Sequence, residues 1–215
     1  MAIKAVFFDL DGTLADTAPD LHIAMDRLLA EEGHPAVPFS RFRTTISGGV
    51  PAMFLESLGI TPTHETYPRL RLLFLDHYEA APCAKTCLFP GIPELLDALE
   101  AQGILWGIVT NKIERFSHPV TTALGLFSRA VCLVSGDSIP RMKPAPDGLL
   151  HACRLAGVAP EETLYVGDDL RDVEAAQAAG IPVVVVQWGC GSNVDTWGAD
   201  AIIAQPLELL AHLKS

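Results

Sequence analysis

Phe7 and Phe8 run into Asp9, Leu10, Asp11, Gly12, Thr13 and Leu14, an apolar stretch that ends in two carboxylates one residue apart and turns on a glycine. Carboxylates that close repel each other unless a cation sits between them or one takes a proton, so the pair suits metal binding and acid–base chemistry together. Alone, the segment also fits a solvated strand end closing in an Asp-x-Asp-Gly turn. Val109, Thr110, Asn111 and Lys112 end a second apolar run with a hydroxyl and an amide. These groups donate to phosphate oxygens without adding charge, and they equally make a helix cap. Arg141, Met142, Lys143 and Pro144 offer a compact ammonium in a loop before a helix, suited to holding a phosphoryl group and offsetting crowded carboxylates. Tyr165, Val166 and Gly167 then lead into Asp168, Asp169, Leu170, Arg171 and Asp172, an acidic cluster in which one carboxylate can complete an oxygen-rich Mg²⁺ shell. A carboxylate pair, a hydroxyl, a lysine and an acidic cluster, each at the end of an apolar run, make sense as parts of one site.

Such parts converge if the runs are strands of one parallel sheet. Short apolar runs at 5–8, 104–109, 131–134, 164–166, 183–186 and 201–203 read as strands buried on both faces. Between them, helices are expected at 93–101, 147–156 and 173–179, with Gly103, Gly157 and Gly180 just past their ends. The alternation predicts an α/β fold, a doubly wound parallel sheet, with function at the strand C-termini. It breaks between Asp16 and Lys85, where Leu21, Ala24, Met25, Leu28 and Leu29 keep helical spacing and 70–78 is again helical. The expected organisation is therefore a discontinuous core, 1–15 and 86–215, with a small all-helical cap domain, 16–85, inserted over the carboxyl end of the sheet as a lid.

The chain has 215 residues, enough for one core and a smaller appended unit. Its 15 Lys plus Arg against 26 Asp plus Glu give a net charge of −11, a field that repels nucleic acid and anionic membranes. Any phosphate bound must be small and locally neutralised. The five cysteines form no Cys-x-x-Cys pair, and no apolar stretch suits a signal peptide or a bilayer span. A reduced, cytoplasmic setting is expected, as a monomer or weak homodimer with no nucleic-acid or membrane partner.

The ordered set resembles the four signature motifs of the haloacid dehalogenase superfamily, across essentially the whole chain. The inserted helices resemble the cap of its subgroup containing phosphoglycolate phosphatases and β-phosphoglucomutases, for which 9–14 with Asp16 and Thr17 are typical. Residues 46–49, 105–112, 166–172 and 197–200 are further similar to a bacterial phosphoglycolate-phosphatase-like group that includes N-acetylmuramic acid 6-phosphate phosphatases. The resemblance implies an Mg²⁺-dependent hydrolase of a small phosphate monoester, 2-phosphoglycolate first, then N-acetylmuramic acid 6-phosphate or another sugar phosphate. It makes Asp9 the nucleophile and a metal ligand, and Asp11 the acid and then the base, its backbone carbonyl also on the metal. Thr110 and Asn111 bind the phosphoryl oxygens, Lys143 offsets their charge, and Asp168 is the third protein ligand, with a swap to Asp169 open. Asp169, Asp172 and Thr13 stand behind these, Asp172 orienting Lys143 or metal-bound water. From the cap, Gly48, Gly49 and Arg43 are the expected substrate contacts, as against simple turn formers. A dehalogenase proper lacks a carboxylate two residues after its nucleophile, and a receiver module carries its acidic pair first. A phosphomutase shares all four motifs, and a phosphate-sensing binding module is the non-enzymatic rival.

Overall fold

The computed structural model describes residues 2–191 and 193–213. Strand β1 (Ala5–Phe8) is followed by a two-residue strand β2 (Ala15–Asp16) and four helices, α1 (Ala18–Glu31), α2 (Phe39–Arg43), α3 (Gly49–Leu58) and α4 (Tyr67–Glu79). The chain returns through β3 (Cys87–Leu88), antiparallel to β2. It then alternates through α5 (Ile92–Ala101), β4 (Leu105–Val109), α6 (Glu114–Ala123), β5 (Leu133–Val134), α7 (Asp147–Ala156), β6 (Thr163–Gly167), α8 (Leu170–Ala179), β7 (Val183–Val186) and β8 (Ala201–Ile203).

The six longer-range strands form one parallel sheet in the order β5-β4-β1-β6-β7-β8. Alternate side chains of each strand point to opposite faces. Val6, Phe8, Ile108 and Val166 pack with Leu95, Leu96 and Leu99 of α5, while Ala5, Phe7, Tyr165 and Val185 pack with Leu149 of α7 and Val173 of α8. Burial on both faces is what makes these strands continuous apolar runs. Phe8 pairs with Ile108 on one side and Val166 on the other. The three central strands therefore end level, and Asp9, Thr110 and Asp168 emerge from one edge.

Some boundaries differ from expectation for local reasons. Strand β4 starts at Leu105 because the amide of Ile104 bonds back to Leu99 at the end of α5. Helix α8 starts three residues before the apolar periodicity does, because Asp169 caps it by accepting from the Arg171 amide while Asp172 reaches back to the Asp169 amide. Helix α6, which no pattern announced, carries Pro119 in its interior. No helix among the described residues is long and apolar enough to cross a membrane.

Helices α1–α4 have their own core of Met25, Leu28, Phe42, Phe54, Phe74 and Tyr78, to which Phe116 of α6 adds. The β2–β3 ribbon joins this group to the sheet, and Asp20 fastens it. Buried at the start of α1, Asp20 accepts from the Lys85 amide at 2.9 and 3.0 Å, the Thr86 amide at 2.8 Å and the Thr86 hydroxyl at 2.7 Å. Asp20→Ala leaves these donors without their acceptor and is expected to lower unfolding free energy by about 2–4 kcal/mol. Urea titration checks this, and a loss under about 0.5 kcal/mol would remove Asp20 as the fastening.

Candidate active site

Asp9 leaves β1 with its amide bonded to Val166 O at 2.9 Å. Its Oδ1 is buried and, among the described residues, makes no hydrogen bond of good geometry. It has one ion-pair partner, the Lys143 ammonium at 2.9 Å. That ammonium is itself buried and donates to Asp172 Oδ1 at 2.7 Å, Tyr165 OH at 2.8 Å and Val109 O at 3.1 Å. The Asn111 carboxamide clamps the Lys143 backbone from both sides, accepting from its N–H and donating to its carbonyl, each at 2.9 Å. The Asn111 side chain thus positions the lysine, and its backbone amide is the group left for an oxygen of a ligand.

Asp168 accepts from the Thr13 hydroxyl at 3.0 Å, the Ser47 hydroxyl at 3.1 Å and the Cys190 amide at 2.9 Å. Thr13 follows β1 and Ser47 belongs to the helical insertion, so the same carboxylate touches both the sheet edge and the insertion. Gly12 is required twice. Its φ is +85°, and a Cβ there would run into the Asp168 carboxylate. Asp172 is committed on both oxygens, Oδ1 to Lys143 and Tyr165 and Oδ2 to the amides of Asp168 and Asp169.

One oxygen from each of Asp9, Asp168 and Asp172 lies within 4.8 Å of the others. Burial, with Asp172 and Asp11 nearby and Lys143 in opposition, raises the Asp9 carboxyl to about 6. Burial together with Asp9 and Asp172 raises Asp168 to about 8. Carboxylates this crowded resist ionisation, and a cation among them removes the penalty. The donor set, all oxygen, fits a hard divalent ion, and the Asp9 oxygen that lacks a hydrogen bond is the natural first ligand.

Asp11 stands beside this cluster. Its Oδ1 accepts from the Thr17 hydroxyl at 2.5 Å and from the Lys112 ammonium at 3.0 Å. Lys112 lies 4.8 Å from the centre of the Tyr78 ring. Burial works against its charge, but Asp11 and Tyr78 outweigh that and hold its pKa above the ordinary value. Asp9, Asp11, Thr110, Asn111, Lys143, Asp169 and Asp172 line a cavity of about 410 Å³, and Gly48 and Gly49 line it from the insertion. Asp168 and Thr13 sit behind that lining. Arg43 is off it, its guanidinium paired with Asp16 at 2.7 Å. Asp169 holds Arg171 at 2.7 Å, and Arg171 also bonds the Ser47 carbonyl across to the insertion.

Lys112, Ser47, Arg171, Arg71 and Tyr78 are site residues that pattern reading did not single out. For Lys112 the signal was present, a cation directly after Thr110 and Asn111 at a strand end. Arg71 and Tyr78 read only as positions on an amphipathic helix.

Residues 3–180 match the family model for haloacid dehalogenase-like hydrolases. An N-acetylmuramic acid 6-phosphate phosphatase of Pseudomonas putida is 41% identical over 218 aligned positions, covering 100% of this chain and 98% of that protein. A phosphoglycolate phosphatase of Xylella fastidiosa is 39% identical over 209 positions, covering 94% and 90%. Among solved structures, a predicted phosphoglycolate phosphatase from Haemophilus somnus 129pt superposes with a TM-score of 0.88 at 28% identity, over 99% of this chain and 98% of that one.

Proposed function

Since the chain belongs to the haloacid dehalogenase-like hydrolases and is a phosphatase of that family, we propose that it hydrolyses a small phosphate monoester, with Mg²⁺ as cofactor, by passing the phosphoryl group through Asp9. The observation that carries this reading is the Asp9 carboxylate at the floor of the cavity, its Oδ1 facing an ammonium 2.9 Å away and no hydrogen-bond donor of good geometry. Asp9, Asp168 and the Asp11 carbonyl would hold Mg²⁺, which supplies positive charge against the phosphoryl oxygens. Asp9 attacks phosphorus, and the leaving alkoxide takes a proton from Asp11 as its P–O bond breaks. Asp11 then takes a proton from water, whose oxygen attacks the aspartyl phosphate, releasing phosphate and restoring Asp9. Thr110 and the Asn111 backbone amide hold phosphoryl oxygens, and Lys143, fixed by Asp172, balances their charge.

Residues 16–85 act as a lid over the core formed by 1–15 and 86–215. Support comes from Ser47 and Arg171, which bond across the gap beside the acidic cluster. Closure there excludes water and brings the leaving group to Asp11. A cavity of about 410 Å³ walled by Leu21, Val50, Met53 and Phe74 is roomy for the two carbons of 2-phosphoglycolate, so the volume favours a leaving group the size of a sugar.

The test is phosphate release from p-nitrophenyl phosphate, 2-phosphoglycolate, N-acetylmuramic acid 6-phosphate and glucose 6-phosphate. Release is expected with Mg²⁺, lost with EDTA and restored by excess Mg²⁺. No Mg²⁺-dependent release from any ester would end the reading, and conversion to an isomeric sugar phosphate would make the protein a mutase.

A further inference from the structure

The chemistry above uses the floor of the cavity and leaves one wall unexplained. Tyr67, Arg71, Phe74, Leu75 and Tyr78 all line it, and their i, i+4, i+7, i+8, i+11 spacing puts them on one face of α4. Four cations belong to the lining. Lys112 is paired with Asp11, Lys143 with Asp9 and Asp172, and Arg171 with Asp169. Arg71, half-buried in an otherwise aromatic and aliphatic wall, has no ion pair among the described residues. A guanidinium held against apolar surface without a counter-ion is matched to an anion that arrives with the ligand.

The helix also sets where that anion must be. Tyr78 marks the end of the wall nearest the chemistry, its ring 4.8 Å from the Lys112 ammonium, which is 3.0 Å from Asp11 Oδ1. The Tyr78 hydroxyl is buried beside Lys112 and makes no hydrogen bond of good geometry among the described residues. Arg71 lies seven residues earlier on the same face, a rise of about 10 Å along the axis. Arg71 thus stands two turns of α4 away from the end of the wall that meets Lys112 and Asp11, which suits a carboxylate carried on the part of a sugar-sized ligand turned away from the phosphate ester. One guanidinium in this wall balances one charge, which favours a carboxylate over a second, dianionic phosphate. This inference rests on the phosphatase reading above. We propose that Arg71 selects the substrate by pairing with a carboxylate on the part of the leaving group that lies against α4, while the Tyr78 hydroxyl bonds a polar group nearer the phosphate. The substrate class is then a phosphorylated sugar acid whose carboxylate is remote from its phosphate.

N-Acetylmuramic acid 6-phosphate and N-acetylglucosamine 6-phosphate differ by a lactyl ether that carries the carboxylate, so the ratio of their kcat/KM values on the Mg²⁺-loaded protein reads the proposal directly. The acid is expected to be preferred by about 10–100-fold, the value of one charge-assisted pair. Arg71→Met should bring the ratio to within about threefold of one through a rise in KM for the acid, and Arg71→Lys should keep part of it. The same ratio is read in dissociation constants by calorimetry on Asp9→Asn protein, which needs no turnover. Equal values for the two sugars in the unsubstituted protein, or a preference that survives Arg71→Met, overturns the proposal. Discrimination in binding without hydrolysis of either sugar or of p-nitrophenyl phosphate would uphold Arg71 and reject the phosphatase mechanism instead.

Discussion

Asp9→Asn is expected to lower kcat for p-nitrophenyl phosphate by about 10⁴-fold or more, the scale on which removal of a covalent nucleophile acts. The amide has nearly the shape of the carboxylate but a much weaker nucleophile. It also removes a buried negative charge from a cluster in which burial and neighbouring carboxylates push Asp9 up to about 6 and Asp168 up to about 8. Lys143 keeps its second partner, Asp172 at 2.7 Å, so the ammonium is not stranded. In EDTA the variant should therefore melt at or above the temperature of the unsubstituted protein, as read by scanning calorimetry. Turnover within tenfold of normal would show that another group takes the phosphoryl. Loss of turnover with a fall in melting temperature would show instead that the charge on Asp9 holds the fold together.

The fold was legible because a doubly wound sheet writes itself plainly. Strands β1, β7 and β8 are apolar on every face, so their limits coincide with the runs at 5–8, 183–186 and 201–203. Gly157 and Gly180 sit in the left-handed conformation directly after α7 and α8, where helix ends were read. What escaped were features set by tertiary partners. Ile104 looks like strand but its amide serves α5, and Pro119 disguises α6. The acidic cluster was read for one metal ligand with Asp169 and Asp172 behind it but not as a helix start, although Asp169 and Asp172 are three residues apart ahead of an apolar helix, the pattern of a capping box. Their first task is local, and Asp172 reaches the site through Lys143. On α4 the helical period was clear, but period alone does not tell a face turned to a cavity from one turned to a core. Arg71 became visible only when α4 was placed against the sheet edge.

Asp11→Asn should separate the two halves of the proposed reaction. The carboxamide oxygen can still accept from Thr17, which stands 2.5 Å from Asp11 Oδ1, so the side chain keeps its direction while losing its capacity to carry a proton. General acid–base catalysis contributes about 10²–10⁴-fold, and the loss should depend on the leaving group. p-Nitrophenolate departs without a proton, so Asp9 is still phosphorylated from the aryl ester, but the water that cleaves the intermediate has no base. Stopped-flow mixing should then show a burst of about one nitrophenolate per site followed by a slow steady state. A sugar phosphate leaves as a basic alkoxide and should give no burst. Stability should move opposite to Asp9→Asn, because Lys112 loses the negative charge 3.0 Å away that together with Tyr78 outweighs its burial, and keeps only a neutral amide oxygen and Tyr78. Equal loss on aryl and sugar esters with no burst would take the proton-transfer role from Asp11 and leave it a partner of Lys112.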